Sequence, residues 1–352
     1  MFSFYLRSVL AAFVLTAVAV SASPSLSLKL KGPSSVTGVE NLKITATITN
    51  TGTETLKILN DPRSLLSKRP ANKFSITDGK GTRPSFTGIK VKYSPEYAAQ
   101  QGAFTVLTPG ASVSITHNLS EGYNFTISGA GDYDFEADST FYVVNPNNEI
   151  GVVHATTQEA VITTKVVGNL AVARRDEINS HLSKRATFIS CSSSRQSLLN
   201  TAIASAETYA SNSYSYLNSL TTGSPRYTTW FGAYTSARRS TVLSHFNLIN
   251  ANDFSTFTYD CSCTDSAYAY VYPGTFGKIY LCSAFWNAPN TGTDSKAGTI
   301  IHEASHFTRN GGTDDYAYGH SAAKSLATSN PARAVMNADS HEYFAENTPA
   351  LS

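Results

Sequence analysis

Apolar and polar residues alternate in short runs along the first half of the chain, from Leu26 to about Val167. Successive side chains of an extended strand point to opposite faces, so a period of two indicates strands that are buried on one side only. Glycine, proline and asparagine residues that favour turns separate the runs. The pattern predicts a β-sandwich of roughly seven or eight strands, with the clearest strands at 42–48, 55–59, 112–116 and 133–137.

The second half of the chain changes to a helical pattern. Residues 196–217 are rich in alanine and leucine and predict a long helix, and a second helix is expected over 235–249. Between 268 and 280, two β-prone runs flank a Pro-Gly turn and predict a hairpin. A further helix is expected to begin near Asp294 or Ser295.

This change of pattern predicts two domains joined by a linker, a natural division for about 330 residues. Residues 23–169 would form the all-β, sandwich-like domain. Residues 186–352 would form a mainly helical domain with a small β region, which makes the fold class α+β. The linker, 170–185, carries the dibasic pairs Arg174-Arg175 and Lys184-Arg185. The second pair lies just before the cysteine-bearing half, so we expect a kexin-type protease to cut there.

The first 22 residues have the composition of a secretory signal peptide. Arg7 precedes an uncharged apolar run from Val9 to Val20, and small residues follow that run. The run is too short to cross a bilayer comfortably, and no later stretch approaches the roughly 20 apolar residues of a membrane helix. We therefore expect a secreted, extracellular protein without a membrane partner.

Charge and glycosylation signals add two constraints. The formal net charge of +2 comes without a basic run interleaved with aromatic residues, so nucleic acid is not expected as a partner. Both Asn-x-Ser/Thr acceptor sites, Asn118 and Asn124, fall in the first half. In an exported chain these sites predict a glycoprotein.

The cysteines predict disulfides, because an even number in an exported chain rarely stays reduced. Four cysteines allow three pairings, and Cys261 and Cys263 are too close to bond comfortably with each other. Two pairings therefore remain open. A zinc site made by all four is disfavoured because paired Cys-x-x-Cys motifs are absent; the four are Cys191, Cys261, Cys263 and Cys282.

The strongest chemical signal is the segment His302-Glu303-Ala304-Ser305-His306. On a helix, residues four apart share a face, so His302 and His306 can hold one metal ion while Glu303 reaches a water beside it. A mostly apolar stretch precedes the segment. The helix is expected to end at Gly311-Gly312, where the chain can turn back toward the ion.

A catalytic zinc site usually has three protein ligands, so a third ligand is needed. The metzincin pattern is excluded, because its next glycine and histidine would fall at Arg309 and Gly312. Asp315, which follows the glycine turn, is the better candidate. Asp314 is its nearest rival, and either aspartate alone would be an ordinary acid at a helix start.

These residues together resemble the aspzincin signature of deuterolysin-type metalloproteases. The signature is His302-Glu303-x-x-His306 followed by Gly312-Thr313-x-Asp315-x-x-Tyr318-Gly319. The resemblance is closest to the fungal peptidyl-Lys metalloendopeptidases and spans essentially 186–352. The first half resembles the propeptides of such enzymes more loosely, which implies a zymogen whose propeptide assists folding or blocks the cleft.

The resemblance implies a zincin-type catalytic domain that binds one Zn²⁺ through His302, His306 and Asp315. Glu303 would be the general base, and Tyr318 would donate to the oxyanion that develops on the substrate. From the residues alone, Tyr318 would be interpreted as an aromatic residue that only packs, because the chain has 19 tyrosines. The resemblance also implies disulfides that join Cys191 to Cys261 and Cys263 to Cys282.

The resemblance further implies a pocket for lysine. Asp339 and Glu342 are three apart in a stretch, 331–344, that is expected to be helical, so both carboxylates can face one way. In the lysine-specific members of the family, the matching acids line the pocket for the residue after the scissile bond, where they bind the ammonium group. Without the resemblance, these two residues would be ordinary solvated charges.

The sequence thus predicts a secreted zinc endopeptidase that cuts lysine-containing proteins or peptides on the N-terminal side of lysine. A protease of broader specificity, as in deuterolysins proper, is the nearer alternative. A non-catalytic extracellular binding protein stapled by zinc is the more distant one. His245, His320 and His341 receive no role, although His341 lies between the two pocket acids and is the one that could touch substrate.

Overall fold

The computed structural model describes residues 25–158, 161–172 and 185–352. The predicted signal peptide, Arg174-Arg175 and Lys184 lie outside the described residues. None of the helices in the described ranges has the length and apolar character needed to cross a bilayer.

The first half is rich in β-strands, as the alternating pattern predicts, but its described part has more and shorter strands than expected. Several have only two or three residues, too short to show a period of two. A short helix, α1 (Pro95–Gln100), interrupts them. The strands are β1 (Leu26–Lys31), β2 (Ser35–Thr37), β3 (Lys43–Asn50), β4 (Leu56–Leu59), β5 (Phe74–Asp78), β6 (Ser85–Phe86), β7 (Lys90–Lys92), β8 (Phe104–Leu107), β9 (Ser112–Asn118), β10 (Tyr123–Asn124), β11 (Gly131–Ala137), β12 (Thr140–Val144), β13 (Ile150–His154), β14 (Thr156–Gln158) and β15 (Val161–Val167).

These strands form layered sheets around one apolar core. Three sheets have four strands each, in the orders β14-β1-β3-β9, β2-β15-β11-β5 and β13-β12-β4-β8, and β6 pairs with β10. Alternate residues of the sheets, such as Ile44 of β3, Phe135 of β11 and Phe141 of β12, are fully buried in the shared core. The remaining residues face outward, which explains the alternation in the sequence.

The second half is mainly helical, with a small sheet. Helix α6 carries the His-Glu-x-x-His segment and is buried along its length. The helices are α2 (Ser193–Ser219), α3 (Pro225–Phe231), α4 (Ser236–Asn250), α5 (Ser283–Asn287), α6 (Lys296–His306), α7 (Gly319–Ser329), α8 (Pro331–Ala334) and α9 (Ala338–Glu346). The strands are β16 (Thr187–Ile189), β17 (Thr258–Asp260), β18 (Ala269–Val271) and β19 (Lys278–Leu281).

Two helix predictions need correction. The segment helix ends at His306, because Phe307 is extended at φ −57° and ψ 130°, and not at Gly311-Gly312. The stretch 331–344 is two helices, α8 and α9, and the break between them brings Asn337 next to the loop that follows α6: Asn337 Oδ1 accepts hydrogen bonds from the backbone of Tyr316 and Ala317. The predicted hairpin of β18 and β19 is confirmed.

The two halves share one sheet. Its order is β16-β17-β19-β18-β7, so a strand from the first half completes the sheet of the second half. An apolar cluster continues the contact, with Ile89 and Val91 from one side and Tyr270 and Tyr280 from the other. The chain therefore has a mixed α/β fold, and the domain boundaries stay predictions.

Two disulfides hold the second half, Cys191–Cys261 and Cys263–Cys282. This is the pairing that the family resemblance implies. The first bond ties the segment before α2 to the end of β17. The second ties the start of α5 to the loop between β17 and β18, beside the contact with the first half.

Candidate metal centre and substrate cleft

Helix α6 is buried along its whole length, including His302, Glu303 and His306. The start of the helix is fixed by Ser295, whose Oγ accepts a hydrogen bond from the Gly298 backbone at 2.9 Å. Ser295 is held in turn by the Glu346 carboxylate on α9, which accepts from its N–H and its hydroxyl at 2.8 Å each. The helix therefore presents its polar side chains at a fixed position in the core.

Asp315 reaches the two histidines by a turn at the end of α6. Gly312 permits the turn with φ +56°, which favours glycine. Oδ1 of Asp315 lies 3.2 Å from Nε2 of both His302 and His306. Asp314, the other candidate for the third metal ligand, instead forms an ion pair with Lys90.

The second nitrogen of each imidazole has its own partner. Nδ1 of His306 lies 2.9 Å from the Thr313 carbonyl oxygen, which can only accept, so this nitrogen carries the proton. Nδ1 of His302 lies 2.8 Å from Oδ1 of Asp339. Both contacts leave Nε2 available to a metal ion, as in the carboxylate–histidine arrangements around metal ions, and the ligand atoms of His302, His306 and Asp315 lie within 4.8 Å of one another.

The donor set fits a zinc ion. The Nε2 atoms of His302 and His306 and the Oδ1 atom of Asp315 are buried and face one another at 3.2 Å without forming a hydrogen bond, although buried polar atoms nearly always form one. Two imidazole nitrogens and one carboxylate oxygen are a typical catalytic zinc set that leaves a position open. Burial opposes a charge on His302, yet the carboxylates of Asp315 and Asp339 raise its pKa well above the usual value. The site thus favours a positive charge.

Glu303 lies beside this donor set without a hydrogen-bond partner for either carboxylate oxygen. Burial raises its pKa to about 8, against the lowering effect of the nearby His302. A carboxyl group with a raised pKa accepts a proton readily.

Tyr318 lies at the same cleft and is not an ordinary core aromatic. Its hydroxyl donates to the carbonyl oxygen of Val91 at 2.5 Å. The Arg63 guanidinium lies over its ring, 4.1 Å from the centroid. The next residue, Gly319, donates its N–H to Oδ2 of Asp339 at 2.7 Å. The phenol therefore faces the carbonyl of Val91, the residue whose N–H donates to Oδ2 of Asp315 at 3.1 Å.

Asp339 and Glu342 lie together on α9 and are fully buried. A lysine ammonium occupies the space in front of them: Nζ of Lys92 lies 2.8 Å from Oε2 of Glu342 and 3.9 Å from Oδ1 of Asp339. Asp294 completes the pocket, with Oδ1 2.9 Å from Nζ of Lys92. Glu342 and Asp294 are thus the nearer acids.

Sequence reasoning missed Asp294 and Lys92. The sequence marks Asp294 only as a helix start. In the structure its φ of +52° lies in the left-handed region, a strained conformation that often marks a functional position. Lys92 could not be found from the sequence. In an alternating β pattern, a lysine that contacts a distant part of the chain looks the same as a solvated one.

Of the three histidines without a role, His245 and His341 contact each other, whereas His320 packs on Tyr343, whose hydroxyl donates to Oδ1 of Asp294. His341 is fully buried, with Nε2 3.0 Å from Nδ1 of His245 and its ring stacked on Phe246. The expectation that His341 could touch substrate is therefore wrong, because a helical residue between two pocket acids points to another side. His320 packs against Trp230 and Tyr343.

Comparisons with known proteins match the chain to metallo-endopeptidases. The family model for the aspzincins, described as "Lysine-specific metallo-endopeptidase", matches residues 216–346. The chain is 55% identical over 349 residues to "Peptidyl-Lys metalloendopeptidase" of Grifola frondosa, which covers 98% of this chain and 99% of the relative. It is 56% identical over 358 residues to the protein of the same name from Armillaria mellea, which covers all of both chains.

A solved structure, "Zinc peptidase from Grifola frondosa", is 62% identical and covers 46% of this chain and all of its own, with a TM-score of 0.46. Since the identity to both fungal relatives extends over their full lengths, the chain belongs to the aspzincin family of lysine-specific metallo-endopeptidases and is a zinc endopeptidase of the peptidyl-Lys metalloendopeptidase type.

Proposed function

We propose that this enzyme hydrolyses peptide bonds on the N-terminal side of lysine, with one Zn²⁺ held by His302, His306 and Asp315. The observation that carries the proposal is the double contact of His302. Its Nε2 faces Asp315, and its Nδ1 faces Asp339 and Glu342 at 2.8 and 3.3 Å. The proposed zinc ligands and the proposed lysine pocket therefore meet on one side chain.

When bound, zinc supplies a Lewis acid that polarises the scissile carbonyl and makes water a better nucleophile. Glu303 takes a proton from the attacking water and later delivers a proton to the departing lysine amine. Its raised pKa and its unpaired oxygens support both roles. Tyr318 donates a hydrogen bond to the oxygen on which negative charge develops.

Specificity for lysine follows from the charge of the pocket. Glu342, Asp294 and Asp339 place three carboxylates around one ammonium, that of Lys92 in this structure. Charge-assisted contacts of this kind reject apolar side chains, because these would leave buried carboxylates unpaired.

The chain is made as a secreted zymogen in this proposal. Residues 1–22 direct export, residues 23–169 form the propeptide, and a kexin-type protease cuts after Lys184-Arg185 to release 186–352. The shared sheet and the apolar cluster support a propeptide that stays in contact with the enzyme part until cleavage.

The test is mass spectrometry of the peptides released from a denatured lysine-containing protein by the processed enzyme. Products that begin with lysine and disappear with a zinc chelator support the metal and the pocket together. Glu303→Gln is the matched control: it should keep its zinc, measured by metal analysis, and lose nearly all turnover. Zinc-loaded enzyme that releases no peptides would overturn the proposed function.

The broader-specificity alternative predicts chelator-sensitive cuts at mixed residues. Such cuts would keep the zinc chemistry and remove the lysine pocket from the proposal. The binding-protein alternative is set aside, because the chain belongs to a family of peptidases.

A further inference from the structure

Strand β7 lies along the cleft in the manner of a bound peptide. It runs antiparallel to β18, the strand that would otherwise end the sheet of the second half. Main-chain pairing along a sheet edge is a general way to bind an extended peptide. The pairs are Lys90 with Val271, Val91 with Tyr270 and Lys92 with Ala269.

The side chain of Lys92 fills the acidic pocket. This side chain is only 3% exposed, although lysine is almost never buried without partners. Its ammonium contacts Glu342 and Asp294 and lies 4.8 Å from the centre of the Tyr268 ring. Burial opposes the charge, but the acids outweigh it and raise the pKa of Lys92 well above its usual value.

The peptide group before Lys92 lies at the catalytic residues. The Val91 carbonyl oxygen accepts from Tyr318 at 2.5 Å, and the Val91 N–H donates to Oδ2 of Asp315 at 3.1 Å. The Val91–Lys92 bond thus has the position and register of a bond to be cut before lysine.

Contacts on both sides of this segment hold it in place. Lys90 pairs with Asp314, next to the proposed ligand Asp315. Arg63, itself held by Asp61 through two hydrogen bonds of 3.0 and 2.6 Å, covers the ring of Tyr318. A substrate therefore cannot reach the pocket or the phenol while the first half stays in this position.

From these contacts we propose that Lys90–Lys92 is an internal substrate mimic that inhibits the enzyme, with Lys92 as the ligand of the lysine pocket. The inference rests on the proposed function and adds the residue that performs the inhibition. Because the segment belongs to the same chain, its effective concentration at the cleft is far above that of a free peptide. A short lysine peptide therefore competes poorly until the first half is released.

The test of inhibition uses the full chain with both dibasic pairs changed to alanine, so that it stays uncut. Lys92→Met keeps the length of the side chain and removes the charge that the pocket binds. We expect this variant to hydrolyse a fluorogenic peptide with a single lysine at least about tenfold faster than the uncut parent, since loss of a buried charge partner weakens binding strongly. The matched control, Lys80→Met, changes an exposed lysine of the same half and should behave as the parent. Equal rates for Lys92→Met and the parent would overturn the inference.

A second measurement does not depend on activity. Amine labelling of the uncut, folded chain, followed by mass spectrometry, should modify Lys80 rapidly and Lys92 slowly. Asp294→Asn and Glu342→Gln should each speed the labelling of Lys92. Labelling of Lys92 at the rate of Lys80 would overturn the inference. If the processed enzyme never cuts before lysine, the proposed function fails, and labelling alone decides whether Lys92 occupies the pocket.

Discussion

Nδ1 of His302 lies 2.8 Å from Oδ1 of Asp339, so the acid that borders the lysine pocket also orients a proposed zinc ligand. Glu342 lies closer to the lysine than to the histidine: its Oε2 is 2.8 Å from the ammonium of Lys92 but 3.3 Å from Nδ1 of His302. The two acids can therefore be separated by experiment.

Asp339→Asn should weaken zinc binding by roughly ten- to a hundredfold, because it removes the carboxylate that orients His302. Glu342→Gln should keep most of the zinc affinity and instead raise KM for lysine peptides. The measurements are chelator competition for zinc and steady-state kinetics on one peptide series. Equal losses of zinc affinity in both variants would contradict this division of roles.

Tyr318→Phe should lower kcat by about a hundredfold to a thousandfold in the processed enzyme, because one donor to the developing oxyanion is lost. KM should change little, since the hydroxyl stabilises charge that appears only in the transition state. Tyr316→Phe is the matched control, because that ring is 44% exposed. Metal analysis of both variants shows whether zinc is retained; a normal kcat for Tyr318→Phe would remove the phenol from the mechanism.

The proposed ligand set could be predicted from the sequence because it is local. His302 and His306 share one helix face, and Asp315 follows after a glycine turn, so spacing alone brings them together. The start of α6 at Ser295 was predictable for the same reason, since capping acts over three residues.

The lysine pocket and its occupant could not be predicted in full, because they depend on distant pairing. Lys92 contacts Asp294 across 202 positions of the chain, and only the register of β7 on β18 decides which side chain enters the pocket. Asp339 and Glu342 were found only through the family resemblance. The burial of His341 could not be predicted from the family resemblance either, because it depends on the packing of α4 against α9.

Gly298→Ala should destabilise the protein, although alanine favours helices by about 1 kcal/mol over glycine. A methyl group on Gly298 would collide with Oε1 of Glu346 and come within 3.0 Å of Cγ of Glu342. Overpacking of this kind costs about 1–3 kcal/mol. Gly131→Ala is the matched control, because nothing lies within 4 Å of its added carbon. Denaturant unfolding of both variants measures the difference; equal stability would mean that Glu346 moves aside freely.

The buried pair of His245 and His341 should make the stability of the enzyme part depend on pH. Nδ1 of His341 donates to the Asn337 carbonyl at 2.9 Å, so its Nε2 accepts the proton of His245. This arrangement needs a neutral His341, and burial disfavours a charge on either ring. Burial lowers the pKa of His245 to about 4 and that of His341 to about 3.

Because both pKa values lie below the value of about 6.5 in the unfolded chain, the unfolded state gains protons first as the pH falls. Stability should be complete above pH ~6.5 and then fall by about 1.4 kcal/mol per pH unit for each histidine. His245→Gln keeps a donor for His341 and should remove about half of this dependence. Denaturant unfolding between pH ~4 and ~7, with a chelator present to exclude effects of zinc, compares the variant with the parent. The carboxylates contribute equally to both proteins. Identical slopes of the free energy of unfolding against pH would therefore contradict a lowered pKa of His245 in the folded state.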